Sequence, residues 1–169
     1  VQRGAQLGWK TSGVCSNIFG GMLHQAGGSE VTSDYTKGAI NSPEGDRVLS
    51  WWIDVADRGL DGPQYPQTQS ECLQGNVAMW MNPGSWRRAG LLDADIDYTV
   101  YPAPRWDNAV NDSGFYTYAY FHMANSQSDP EAQSAAWQLA WYLDSFPGEY
   151  LETTGLLQTR KDVLESQAF

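Results

Sequence analysis

Apolar and polar positions along this chain switch between two periods, and each period predicts an element. Val48, Leu49, Trp52, Ile53, Val55 and Ala56 recur at helical spacing, which gathers them along one side of a helix. Ser42-Pro43-Glu44 just ahead supplies a capping hydroxyl, a proline suited to the first turn and an acid that suits the helix dipole. Gly59 ends that helix. Asp129-Pro130-Glu131 opens a second one, with Ala132, Ala136, Trp137, Leu139, Ala140, Trp141 and Leu143 on one broad side until Phe146-Pro147. Shorter helices are expected over residues 16–26 (stopped by Gly27-Gly28), around Cys72, up to Gly155, and over 160–166.

Strand patterns fall elsewhere. Residues 77–81 form a continuous apolar run, the pattern of a strand covered on both faces. Asn82-Pro83-Gly84 breaks the run, and Ser85 is placed to cap a short helix through Leu92. Residues 96–101 alternate like a strand and stop at Pro102-Ala103-Pro104, and 114–123 form a long, strongly aromatic strand pattern. The stretch 62–69 and the polar stretch 105–113 read as loops. Helices and strands are mixed along the chain, so the expected class is α/β. Trp86, on the first turn after a buried strand, suits the mouth of a cleft where such folds bind ligands. Packing a helix onto the sheet is the other use of that ring.

Composition narrows the partners. The 169 residues carry a formal charge of −10, which argues against a nucleic-acid backbone or an anionic membrane surface. Eight tryptophans and nine tyrosines suit a large core, and such rings also stack on sugar faces. No run of 18 apolar residues is present, and Val1 does not open a signal peptide, so the chain looks mature or excised. Cys15 and Cys72 lack metal-ligand spacing; a disulfide suits an exported protein, buried free thiols are equally compatible, and the sequence leaves both open.

Candidate chemistry is sparse. Asp54, Asp57 and Asp61 fall at a helix end and read as a solvated face, while Glu44 and Asp46 read as helix-start charges. His24 and His122 stand far apart with no triad order and read as structural. No nucleophile elbow or phosphate-binding glycine loop occurs, and no cofactor or metal is expected. A glycoside hydrolase needs only two carboxylates that converge in space, so a secreted carbohydrate-active enzyme or an accessory carbohydrate-binding domain stays as the alternative.

An ordered series of landmarks says more than any one of them. Ala26-Gly27-Gly28, Asn41-Ser42-Pro43-Glu44-Gly45 before Trp51-Trp52, and Asp57-Arg58-Gly59-Leu60 are followed by Gln74-Gly75-Asn76-Val77-Ala78-Met79 and Asn82-Pro83-Gly84-Ser85-Trp86. Tyr101-Pro102-Ala103-Pro104, Asp129-Pro130-Glu131-Ala132 and Gly155-Leu156-Leu157-Gln158-Thr159-Arg160 complete it. The series resembles the family-1 extracellular solute-binding proteins of ABC importers, the maltose-binding-protein-like sugar binders, over nearly the whole chain. That resemblance implies a type II periplasmic-binding-protein-like α/β fold, here partial. Residues 1–113 would be the central part of the C-terminal lobe, and 114–169 the hinge crossing and a segment packing in the N-terminal lobe.

The resemblance further implies a non-enzymatic receptor that captures a carbohydrate or related small solute in an interlobe cleft and closes on it by hinge motion. Its partners would be membrane permease subunits and the remaining part of the two-lobed protein. Its location would be extracellular or periplasmic, with a lipid anchor allowed on a segment outside this sequence. Trp86 falls where relatives stack a sugar, with Asn17 and Ser85 as hydrogen-bonding neighbours, Phe115 and Tyr116 on the crossing strand beside the ligand, and Arg160 on a loop that reaches the site. Two departures stand out. Pro83 is an extra residue inside the usual Asn-Gly-Ser-Trp turn, and Asn17 stands where some relatives carry an aromatic.

Overall fold

A computed structural model of the chain describes residues 2–10, 12–81, 84–112, 121–156 and 160–165. They divide into two compact units: Val1–Pro83 with Gly90–Thr117, and Gly84–Ala89 with Tyr118–Phe169.

The first unit is built on two short strands, β1 (Arg3–Gln6) and β2 (Val77–Trp80), paired in parallel with Arg3 opposite Val77 and Gln6 opposite Trp80. Parallel neighbours need a crossover connection. Here it contains α1 (Ser12–Gln25), α2 (Pro43–Asp57) and α3 (Gln69–Leu73). The α2 helix starts as its sequence predicts: Ser42 Oγ accepts the Gly45 N–H at 3.1 Å, and Pro43 occupies the first turn. Val48, Trp52 and Val55 face inward, while Leu49 and Ile53 remain about half exposed. With Leu7, Ile18, Met22, Leu23 and Met81 they form the core, and Trp9 meets Trp52 edge to face at 4.9 Å.

Three expectations are corrected here. Asp61 is not on a solvated face: it is fully buried, pairs with Arg3 at 3.3 Å and accepts the Leu7 N–H at 2.6 Å. The β2 strand is not covered on both faces, since Met79 is 54% exposed. Residues 96–101 form no strand, and no ladder partner for them exists among the described residues. The predicted strand at 114–123 lies mostly outside the described residues, and 121–123 are not extended into a ladder.

Cys15 and Cys72 are free, so the disulfide considered above is not formed. Each thiol is taken up by its own packing. Cys15 lies against the core from α1, and burial raises its pKa. Cys72 is buried on α3, where desolvation pushes its pKa up to about 12.

The loop after residue 102 closes over the end of α1. Gln25, 1% exposed, donates its Nε2 to the Pro104 carbonyl, and its Oε1 accepts the Trp106 N–H. The Trp106 indole N–H donates to the Met22 carbonyl, Asn111 Nδ2 to the His24 carbonyl and the Val110 N–H to the Gln25 carbonyl. The Gln25 carbonyl is one that the last turn of a helix leaves open, whereas those of Met22 and His24 already accept the Ala26 and Gly27 N–H groups. A cavity of about 90 Å³ lies there, bordered by Met22, Trp51, Met81 and Trp106.

The second unit contains a 3-10 turn at Ser85–Arg87; the short α4 (Arg88–Asp93) begins there and ends in the first unit, and the second unit continues with α5 (Pro130–Leu143), α6 (Pro147–Thr154) and α7 (Lys161–Leu164). Asp129 caps α5 by accepting the Ala132 N–H. None of the α5 residues is buried, although apolar side chains surround most of the helix; Trp137 is 59% and Trp141 79% exposed. Among the described residues no helix is long and apolar enough to cross a membrane.

Candidate ligand-binding site

The second unit contains a cavity of about 350 Å³ lined by Trp86, Tyr150, Thr154 and Leu156. Trp86 comes from the 3-10 turn, with the Arg87 N–H bonded to the Gly84 carbonyl. Ser85 does not cap the following helix as expected; Gly84 occupies the cap position, because the turn tightens into 3-10 geometry at Ser85. The Arg87 guanidinium lies 6.0 Å from the Trp86 ring centroid.

The opposite wall is α6. Tyr150 and Thr154 stand four residues apart, which places them on one helix face. The helix ends at Gly155 in the left-handed conformation, with its N–H on the Leu151 carbonyl at 2.8 Å. Thr154 Oγ1 donates to the Tyr150 carbonyl at 2.7 Å and accepts the Leu156 N–H at 3.2 Å. That commitment to the backbone leaves its methyl as the natural lining group. Trp86 and Tyr150 are 38% and 46% exposed, so both rings offer surface to a ligand.

The lining side chains among the described residues are two aromatic rings, a threonine and a leucine. Such a site can stack a flat apolar face and hydrogen-bond hydroxyls through the Tyr150 phenol. Among the described residues no three His, Cys, Asp or Glu side chains gather to hold a metal.

The sequence-predicted residues separate as follows. Trp86 lines the cavity, and Ser85 adjoins it as an exposed residue of the same turn. Asn17 is half-buried on α1 in the first unit. Arg160 belongs to the second unit but is engaged locally: Nε and Nη2 donate to Asp162 at 3.1 and 2.6 Å, and Nη1 to the Asp144 carbonyl at 3.4 Å. Those bonds lift its pKa and lower that of Asp162. Phe115, Tyr116 and Pro83 lie outside the described residues. Tyr150, Thr154 and Leu156 were missed, because nothing in their spacing sets them apart as site residues.

Comparison with known proteins agrees with this architecture. The cyclic α-maltosyl-1,6-maltose binding protein from Arthrobacter globiformis superimposes with a TM-score of 0.65 at 25% identity, over 99% of this chain and 42% of that one. An ABC transporter solute-binding protein from Thermotoga lettingae TMO, solved with bound α-D-tagatose, gives 0.61 at 25% identity over 95% of this chain and 41% of its own. The chain thus spans about two fifths of the length of these solved relatives and carries part of their periplasmic-binding-protein-like fold. No curated protein matches it significantly. The family of bacterial extracellular solute-binding proteins matches residues 5–169. By that match over nearly its whole length, the chain belongs to the bacterial extracellular solute-binding protein family.

Proposed function

We propose that this chain is part of the substrate-binding receptor of an ABC importer and that it captures a neutral carbohydrate, with Trp86 as the stacking wall. The observation that carries this reading is the 350 Å³ cavity, whose lining among the described residues is Trp86, Tyr150, a threonine and a leucine. A pyranose or furanose ring offers an apolar face to an aromatic and a fringe of hydroxyls to polar groups. Both solved relatives are sugar binders by name or by bound ligand, which supports the same class here.

The work is capture rather than catalysis, at an extracellular or periplasmic location, with permease subunits as the partners that receive the loaded receptor. The first unit is part of one lobe and the second part of the other. Asn17, Ser85, Phe115, Tyr116 and Arg160 are carried as further ligand contacts on the family resemblance.

Calorimetric titration of the intact protein with D-tagatose, cyclic α-maltosyl-1,6-maltose and a panel of neutral mono- and disaccharides tests the reading. Saturable binding to one of them is expected, weakened at least about tenfold by Trp86→Ala, the scale of a buried aromatic anchor. Saturable binding that Trp86→Ala leaves unchanged would remove the stacking role. Steady release of new reducing ends from an oligosaccharide would favour a carbohydrate-active enzyme.

A further inference from the structure

Trp86 is held in place by the absence of two side chains. Gly84 has φ 81° and ψ 145°, backbone open to glycine and strained for other residues. A Cβ on Gly84 would overlap the Cη2, Cζ3 and Cζ2 atoms of Trp86. The benzo edge of the indole therefore occupies the space that a side chain at 84 would fill. From another direction comes Gly155, with φ 69°, where a Cβ would stand 2.7 Å from the Ser85 carbonyl oxygen and 3.3 Å from the Trp86 Cα. That close approach brings the end of α6, with Tyr150 and Thr154, onto the peptide that carries Trp86.

Turn and helix-stop duties explain a positive φ at both positions, but not the contacts. Gly75 also has a positive φ, 72°, and nothing lies within 4 Å of where its Cβ would be. Gly8 and Gly62 are crowded too, against Val14 and Gln64; at Gly84 and Gly155 the crowding atoms belong to Trp86 and its turn.

We infer that Gly84 and Gly155 are positioning residues for ligand binding, fixing the Trp86 indole and the α6 wall in the ligand-ready arrangement before ligand arrives. The inference rests on the reading of Trp86 as the stacking wall. Gly84 sets the attitude of the ring, and Gly155 sets the spacing between the ring's backbone and α6. A platform set in advance avoids the ordering cost that a mobile indole would add to binding.

The test is a double-mutant cycle on the intact protein, read as the dissociation constant for the neutral sugar that the wild type binds best in the panel above. Gly84→Ala weakens binding by about tenfold or more, the scale expected when a binding side chain is displaced and must be reordered. In a Trp86→Ala background, Gly84→Ala changes affinity less than about twofold, because there is no ring left to displace. Equal losses in both backgrounds would show a merely structural role and overturn the inference. Gly155→Ala is read differently, because its Cβ would meet the Ser85 carbonyl and the Trp86 Cα, which Trp86→Ala keeps: it weakens binding in both backgrounds, and an affinity it leaves unchanged in wild type removes its positioning role.

A second measurement needs no glycine variant. In ligand-free wild type labelled with 5-fluorotryptophan, the Trp86 fluorine signal, assigned by its loss in Trp86→Phe, is a single line; two exchanging lines overturn the inference. The two readings also fail separately. A Trp86→Ala protein that binds sugar like wild type removes the stacking wall, whereas a Trp86-dependent affinity that ignores both glycines removes only their positioning role.

Discussion

Arg3 and Asp61 form an ion pair, 3.3 Å apart, in which neither side chain keeps more than 2% of its surface in water. It joins the first strand to the turn after α2. Around it, Gln67 Nε2 donates to Asp61 at 2.7 Å, Arg3 donates to Gln6 at 2.6 Å, and Gln67 Oε1 accepts the Gly8 N–H at 3.0 Å. Asp61→Ala leaves a buried guanidinium and the Leu7 N–H uncompensated, and is expected to cost about 3–5 kcal/mol in urea denaturation. Replacing both Arg3 and Asp61 by apolar residues of similar volume is expected to cost much less than Asp61→Ala alone.

Gly45 sits inside the first turn of α2, where alanine would ordinarily gain up to about 1 kcal/mol from helix propensity. Here a Cβ would overlap the Ile40 carbonyl oxygen, which is backbone and cannot swing aside. Forced overpacking costs about 1–3 kcal/mol, so the net effect of Gly45→Ala is destabilising. A lowered melting temperature by calorimetry checks the sign, and Ser42→Ala, which removes the cap, should add a loss of about 1 kcal/mol when made alone.

Tyr150→Phe and Tyr150→Ala separate the two uses of that side chain. Loss of one hydrogen bond from the phenol costs about 0.5–1.5 kcal/mol of binding free energy, whereas loss of the ring also removes a wall of the cavity. Affinity for the bound sugar should therefore fall in the order wild type, Phe, Ala, measured calorimetrically.

The buried Cys72 thiol gives the fold a dependence on high pH. Its pKa is pushed from 9.0 to about 12 by desolvation, so in the unfolded chain it ionises above pH 9 while in the folded chain it stays protonated. The unfolded state then binds fewer protons, and stability falls as pH rises from 9 toward 12. Denaturation midpoints measured across that window should decline, and the decline should be shallower in Cys72→Ala.

Local chemistry made much of this fold readable. The α2 and α5 helices begin at Ser42-Pro43 and Asp129-Pro130 because each cap needs only a side chain and its neighbouring N–H groups. The β1 strand could not be told from a loop, for the opposite reason. Its inward residues, Arg3 and Gln6, are polar, and their burial depends on Asp61, 58 positions away in sequence from Arg3. The alternation at 96–101 suggested a strand, but a strand exists only where a ladder accepts it. In the site, Trp86 could be singled out by its place after an apolar run. Tyr150 and Thr154 could not, because what brings them to Trp86 is the close approach at Gly155, a contact in space with no mark in spacing.

The strap of residues 104–111 over the end of α1 bears on when this helix can be completed. Its Gln25 carbonyl takes the Val110 and Asn111 N–H groups, about 85 residues later in the chain, and the Met22 and His24 carbonyls, already bonded to the Ala26 and Gly27 N–H groups, gain second donors there. A nascent polypeptide has α1 well before residue 110 appears, and until then the Gln25 carbonyl is left to water. Closing so long a loop is a slow step for contacts of this separation. The last turn of α1 is thus made well before the segment that finishes it.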